Sequence, residues 1–397
     1  MTEDRLSRRG FARTLGASLG AALVPLPALA REAVAATEGA TAATGEPGKA
    51  PAAIRLDSNE NPYGPSPRAR SALKRAPEIA ARYPDAREDR LIEVLAERHG
   101  VAPEQIVLGC GSGEILKMAD MAFLGPGKCV VAADPTFEAV LLYARATRAD
   151  AVRVPLTEDF RHDLPALAAA CPENAGLIYV CNPNNPTATI VGREEMTAFL
   201  PRIPRGTIVL VDEAYHHFVF DDRYRSALES LPEHPNLLVV RTFSKIYGLA
   251  GMRLGYGVAA RPVIAALREH RIWSNTNAAV LEAAIASLEE PDHVAAQRRA
   301  NAGTRDRLRR ALEAEGRRTI PSHANFLMID LGTDVGPVIE AFRARGLQVG
   351  RRFATLPHWL RISIGTPREM DAFHAALRVI VPAGAETACG PRPTAYT

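Results

Sequence analysis

Four places along the chain set residue types capable of chemistry just after a short apolar run. Ile106-Val107-Leu108 leads into Gly109-Cys110-Gly111-Ser112-Gly113-Glu114, which opens a helical pattern. Glycines let the backbone come close to a ligand, and a helix N-terminus offers free N–H groups with partial positive charge. Gly111, Ser112 and Gly113 are therefore either a phosphate site or a plain strand-to-helix turn. Residues 177–180 lead into Cys181-Asn182-Pro183-Asn184-Asn185-Pro186-Thr187-Ala188. This is a proline-stiffened loop with amide donors, or an ordinary turn. Residues 208–211 lead into Asp212-Glu213-Ala214-Tyr215. An acidic pair at the end of a buried strand is costly unless a cation, a metal or a protonated base partners it; a helix cap or a Mg²⁺ ligand would also account for it. Residues 237–240 lead into Arg241-Thr242-Phe243-Ser244-Lys245 and then the glycine-rich stretch from Gly248 through Arg253 to Gly255. Lys245 is a surface charge, or a nucleophilic amine beside an anion site.

The combination narrows these alternatives. One kind of cofactor would use a phosphate cup, a lysine amine, a carboxylate for a protonated ring nitrogen and donors for a ring oxygen. The elements that must bring them together are seven apolar runs, at residues 105–109, 129–133, 151–155, 177–181, 207–211, 237–241 and 253–258. Most are rich in β-branched residues without polar alternation, so they read as strands buried on both faces. Helical patterns at 114–123, 137–148 and 193–200 lie between them. The alternation predicts an α/β fold with a mostly parallel seven-stranded sheet, whose ligands bind beyond the carboxyl ends of the strands. After Trp273 the pattern changes to helices over 276–288 and 292–315, a strand at 325–330, a helix at 335–345, a strand at 360–364 and a helix at 368–379. This predicts a smaller α+β C-terminal domain. The expected divisions are an arm and start of the small domain over 54–80, a large domain over 81–275, a linking helix and small domain over 276–380, and a tail over 381–397.

Composition excludes some partners and points to a compartment. With 48 Lys+Arg against 45 Asp+Glu, the formal net charge of +3 is too balanced to suggest nucleic acid. Arg5-Leu6-Ser7-Arg8-Arg9-Gly10-Phe11 precedes an Ala/Leu-rich run from Leu15 to Ala30, with small-residue sites at Ala28-Leu29-Ala30 and Ala33-Val34-Ala35. A charged start, a short apolar middle and small residues at the end describe an export signal over 1–36, followed by a mobile leader over 37–53. The Ser-Arg-Arg-x-Phe pattern resembles the bacterial twin-arginine signal. It implies export of the folded protein to the periplasm by the twin-arginine machinery, with membrane anchoring if the signal stays uncleaved. The five cysteines, Cys110, Cys129, Cys171, Cys181 and Cys389, are odd in number and lack a C-x-x-C. Buried free thiols are expected, and no Cys/His spacing suggests a metal site.

Ordered motifs along the chain carry a family resemblance over residues 55–380. They are Leu56-Asp57-Ser58-Asn59-Glu60-Asn61-Pro62-Tyr63-Gly64, Arg82-Tyr83-Pro84-Asp85, the loop at Gly111, Asn184-Asn185-Pro186-Thr187, Asp212-Glu213-Ala214-Tyr215, Thr242-Phe243-Ser244-Lys245 and Leu360-Arg361-Ile362-Ser363-Ile364-Gly365-Thr366. The sequence resembles the fold-type I enzymes that use pyridoxal 5′-phosphate (PLP), within them the class I/II aminotransferases, and most closely the histidinol-phosphate aminotransferase group. The resemblance implies that Lys245 holds PLP as a Schiff base and later shuttles a proton. Asp212 would keep the ring nitrogen protonated, Tyr215 and Asn185 would bond the 3′ oxygen, and Phe137 would stack on the ring. Gly111, Ser112, Gly113, Thr242, Ser244 and Arg253 would form the phosphate site. Tyr83 would reach the phosphate of a neighbouring subunit, implying a homodimer with shared sites. Arg361 would grip the substrate α-carboxylate or the phosphate of an amino-alcohol phosphate, with Asn325, Arg351 and Tyr63 as further substrate neighbours. The chain departs from the family pattern at Phe137, where many relatives have Tyr, at Ala188 in place of glycine, at Gly113 where Asp is frequent, and around Arg351.

The expected reaction is ping-pong exchange of an amino group between an amino acid, or an amino-alcohol phosphate, and a 2-oxo acid. Another PLP reaction on the same fold, decarboxylation or elimination, uses the same cofactor motifs. A PLP-sensing regulator would need a DNA-binding domain, for which the chain has no spare length. An exported enzyme would also be separated from the cytoplasmic substrate of histidine synthesis.

Overall fold

The computed structural model describes residues 53–382. The expected export signal, nearly all of the leader and most of the tail, including Cys389, lie outside the described residues. Seven strands form the main sheet: β2 (Ile106–Gly109), β3 (Cys129–Asp134), β4 (Asp150–Pro155), β5 (Ala175–Cys181), β6 (Ile208–Asp212), β7 (Leu237–Thr242) and β8 (Gly255–Ala259). Their order is β2-β8-β7-β6-β5-β3-β4, with β8 antiparallel to both neighbours and the other pairings parallel. Every residue of β2, β5, β6, β7 and β8 is buried, as the unbroken apolar runs predicted. Strand β4 differs: only Val154 of its six residues is buried. It is one of the sheet's two edge strands, and Arg153 pairs there with Asp134 at 3.2 Å, placing a charge on that edge.

Helices cover both faces. Ser112–Phe123 and Ala139–Ala146 pack through Leu116, Ala119 and Val140 against alternate residues of the strands. Asp85–His99 and Ala278–Leu288 cover the other face through Leu91, Leu95 and Leu281. A separate core lies around an antiparallel pair, β9 (Phe326–Asp330) and β11 (Trp359–Ser363), and a parallel pair, β1 (Ile54–Leu56) and β10 (Leu347–Val349). Leu56 from near the start of the described chain is buried there with Ile329, Phe342, Ile362 and Phe373. Helix Pro367–Ile380 closes this core. Thr366 accepts from the Glu369 backbone N–H while the Glu369 carboxylate accepts from the Thr366 N–H, a reciprocal cap, and Pro367 sits where no backbone donor is needed.

Candidate active site

The carboxyl ends of β3, β5, β6 and β7 face one edge of the sheet. Because β8 runs backwards, its beginning reaches that same edge, carrying Arg253 with it. A cavity of about 580 Å³ opens there. Ser112, Gly113, Phe137, Asn185, Asp212, Tyr215, Thr242, Ser244, Lys245, Arg253, Arg351 and Arg361 all line it.

Strand alternation separates the acidic pair. Asp212 turns into the cavity wall, while Glu213 turns to the opposite side and meets Arg241 at 2.8 Å, the Ser226 hydroxyl and the Ala227 N–H. Of the alternatives for the acidic pair, Glu213 thus takes part in a buried ion pair and also accepts the first N–H of the short helix Ala227–Ser230. Asp212 accepts the Tyr179 O–H at 2.9 Å on Oδ2 and the Ala214 N–H at 3.0 Å on Oδ1. No Lys or Arg forms an ion pair with it among the described residues. Burial pushes its pKa up to about 6, so the site favours a cationic partner for its carboxylate.

Lys245 enters from the loop after β7. Its Nζ donates to the carbonyls of Ser58 (3.2 Å) and Asn59 (3.1 Å) and lies 5.6 Å from the centroid of the Tyr215 ring. Burial first, and Arg361 second, hold its pKa down to about 8, so part of the population is free amine near neutrality. The Tyr215 hydroxyl accepts the Asn59 amide at 3.0 Å.

The other end of the cavity is built for an anion. Helix Ser112–Phe123 points its N-terminus there, and Gly111 caps it at φ +79°. A Cβ at Gly111 would overlap the Arg253 guanidinium. Arg253 donates to the Ser244 hydroxyl at 3.3 Å, and the Ser244 N–H donates to Thr242 Oγ1 at 3.0 Å. Free helix N–H groups, hydroxyls and a guanidinium converge as a phosphate requires.

Elsewhere in the lining, Arg361 donates to Asn185 Oδ1 and to the Asp57 carbonyl, both at 2.8 Å, while its buried Nε has no partner. Asn185 is the only asparagine of its loop to line the cavity. Asn182 bonds Val191 twice, and Asn184 accepts from Thr136 and donates to the Pro135 carbonyl, so those amides hold the loop's shape. Arg351 pairs with Glu138 at 2.6 Å and stacks over Phe353, whose ring also lies 5.3 Å from the Arg361 guanidinium.

Four expected positions are absent from the lining: Gly111, which caps the helix beside Arg253, and three that lie elsewhere. Asn325 is buried outside the cavity lining and donates to the carbonyls of Asn59 (2.9 Å) and Glu60 (3.3 Å), so it braces the arm that meets Lys245. Tyr63 borders a small separate hollow beside Asn325. Tyr83 is 82% exposed and lies outside the cavity lining. Cys110 is exposed rather than buried, because it sits at the turn leaving β2; Cys129 and Cys181 are buried and Cys171 partly so, all as free thiols. Sequence reasoning missed Tyr179, Glu138 and Phe353. Tyr179 lies inside an apolar run and looks like core, whereas Glu138 and Phe353 stand one and two positions from Phe137 and Arg351.

The residues fit one cofactor. A buried carboxylate without a cation suits a protonated ring nitrogen, the helix N-terminus and Arg253 suit a phosphate, and an amine of lowered pKa lines the same cavity. Residues 51–377 match the family Aminotransferase class I and II. The histidinol-phosphate aminotransferase of Moorella thermoacetica is 41% identical over 83% of this chain and 85% of its own length. That of Brevibacillus brevis is 39% identical over 83% and 90%. The crystal structure of histidinol-phosphate aminotransferase from Sinorhizobium meliloti in complex with pyridoxal-5′-phosphate superposes with a TM-score of 0.79 at 30% identity, covering 83% of this chain and 91% of that one. The chain belongs to the class I and II aminotransferases. It has their fold-type I architecture and is a PLP-dependent aminotransferase.

Proposed function

We propose that the cavity exchanges an amino group between an amino acid, or an amino-alcohol phosphate, and a 2-oxo acid by a ping-pong mechanism. The observation that carries this reading is Lys245, an amine of lowered pKa standing in one cavity with the buried Asp212 carboxylate and the anion-binding end at Ser112, Gly113, Ser244 and Arg253. When bound, PLP supplies a ring that takes up the electron pair left at the substrate α-carbon. The remaining work belongs to the chain. Asp212 holds the ring nitrogen in its protonated form, and Tyr215 and Asn185 offer polar atoms to the ring oxygen. Phe137 forms an apolar wall for stacking. Lys245 Nζ would take the proton from the substrate α-carbon and hand it on to the C4′ carbon of the cofactor, two atoms away. Arg361 orients the substrate by its carboxylate, or by its phosphate, since its planar fork suits both. Arg351, paired with Glu138, borders the more distal part of the substrate.

The curated relatives are named for histidinol phosphate, an amino-alcohol phosphate, which makes that chemical class a prime donor to test. Homodimerisation belongs to the same proposal, because the exposed Tyr83 is free to reach a second copy. So does export: the Ser-Arg-Arg-x-Phe pattern supports delivery of the folded enzyme by the twin-arginine route.

The half-reaction tests the chemistry. Loaded enzyme is mixed with single amino acids and amino-alcohol phosphates without any 2-oxo acid. A donor should convert bound PLP stoichiometrically to the pyridoxamine form and yield its own oxo product. Release of CO₂ or an eliminated group, with PLP unchanged across the panel, would overturn transamination by this site.

A further inference from the structure

Asp212 does not act from its own position alone. It ends β6, and its backbone pairs in register with Cys181 of β5. Two residues earlier on β5, Tyr179 lies beside Leu210 and points to the same side of the sheet as Asp212. Its ring is fully buried among residues of helices Ser112–Phe123 and Ala139–Ala146. Its hydroxyl reaches Asp212 Oδ2 at 2.9 Å. A carboxylate only accepts, so the tyrosine donates; burial and the neighbouring Asp212 charge both keep the phenol proton in place.

Other groups near Asp212 do not do this. Cys181, also on β5, directs its thiol to the Pro183 carbonyl at 3.3 Å. The Tyr215 hydroxyl is engaged with Asn59, and Lys245 with the arm carbonyls. Glu213 faces the opposite side of the sheet with Arg241. Tyr179 is thus the one side chain among the described residues that hydrogen-bonds the Asp212 carboxylate, with the Ala214 N–H fixing its other oxygen.

We propose that Tyr179 is a positioning residue for the cofactor: its hydroxyl, anchored in the core beneath the site, fixes the Asp212 carboxylate in place and in its charged form. The proposal rests on the reading that Asp212 meets the ring nitrogen. Burial raises the Asp212 pKa, and the Tyr179 hydrogen bond is the largest influence opposing it. Without the hydroxyl, the carboxyl would take up a proton at higher pH and would also be free to turn. A neutral carboxyl is a poor partner for a protonated ring. PLP should then bind less tightly, and the loss should grow as pH falls.

The test is Tyr179→Phe, which keeps the ring and removes the donor. PLP dissociation constants are measured by equilibrium dialysis between pH 6 and pH 9, beside Asp212→Asn and the double variant. Loss of a buried hydrogen bond to a charged group predicts about tenfold weaker PLP binding near pH 6.5. The acid limb of the binding profile should move to higher pH, and kcat should fall more than the donor KM rises. In the Asp212→Asn background, Tyr179→Phe should change PLP binding little, because there is no charge left to hold. Thermal unfolding of the apoproteins controls for folding: if Tyr179→Phe alone is unstable, the comparison within the Asp212→Asn background still decides. Equal, pH-independent losses in both backgrounds would make Tyr179 a packing residue and overturn the proposal, as would an unchanged PLP binding profile. If Asp212→Asn itself binds PLP and turns over normally, the reading of Asp212 fails instead.

Discussion

Arg361 is committed at two of its nitrogens before a substrate arrives, to Asn185 and to the Asp57 carbonyl, and its Nε is buried without a partner. Those fixed bonds hold the guanidinium plane still, which suits two-point recognition of a carboxylate or phosphate. Lysine in its place keeps the charge and loses the fork. Arg361→Lys is predicted to raise the donor KM by roughly tenfold or more while PLP affinity changes little. Steady-state kinetics with each good donor, beside a PLP titration, checks it; unchanged KM for all of them would place the substrate anion elsewhere. At this scale the lining residues that end or follow a buried strand, such as Asp212, Thr242 and Lys245, stood out in the sequence because a charge or hydroxyl there is hard to explain otherwise, whereas Arg253 precedes β8. Tyr179 was not legible, because in sequence it is one more apolar residue of β5. Asn325 and Tyr63 misled for a different reason: a motif marks a neighbourhood, and only the packing shows whether a side chain faces the cavity or braces its wall.

Strand alternation and helix ends explain how the elements position the site. Antiparallel β8 returns Arg253 to the edge where Gly111 caps the helix, so guanidinium and helix N-terminus approach closely. Gly111→Ala would put a methyl group into the guanidinium and strain a residue held at φ +79°. A stability loss of about 1–3 kcal/mol is predicted, because φ +79° with ψ 163° is a backbone region that essentially only glycine adopts. PLP binding should weaken by about tenfold or more through the lost phosphate contact. Calorimetry and PLP titration report the two effects separately, and a variant with wild-type PLP affinity would show that Gly111 does not shape the phosphate site. The seven sheet strands could be read from their unbroken apolar runs. Strands β1 and β10 could not, since three residues carry no periodicity and the pairing joins positions nearly 300 apart in the chain. The exposure of β4 was less plain, because the single charge of Arg153 among Ala151, Val152 and Val154 does not by itself mark a sheet edge.

The whole molecule has an acid-sensitive interior. His99, which meets the Tyr256 hydroxyl at 3.0 Å, is held down to about pKa 4 by burial and then by Arg241. His162 is likewise lowered to about 4 by burial, and His216 and His217 are also held well below the ordinary histidine value by burial and neighbouring cations. Each is neutral in the folded protein and charges readily when unfolded. A depressed folded-state pKa gives stability that is complete above about 6.5 and is lost as pH falls toward 4. Asp120 and Asp212, both raised to about 6 by burial, act in the opposite sense, but the histidines outnumber them. Thermal unfolding of the apoprotein is therefore predicted to drop through this window; a midpoint flat between pH 7 and pH 4 would contradict it. Export belongs to the same scale. Arg8→Lys with Arg9→Lys is predicted to retain active, PLP-loaded enzyme in the cytoplasm, while the wild type appears beyond the inner membrane with a new N-terminus after Ala30 or Ala35. Wild-type enzyme found wholly in the cytoplasm with its first residues intact would end the export reading.

The central claim is that Lys245 carries the cofactor in a site completed by Asp212 and Arg253. Borohydride reduction of the loaded enzyme, followed by proteolysis and mass mapping, tests it most directly. The pyridoxyl mass should lie on the peptide containing Thr242-Phe243-Ser244-Lys245, and Lys245→Ala should show no reducible label and no transamination. A label on any other lysine, or full turnover by Lys245→Ala, would contradict the assignment.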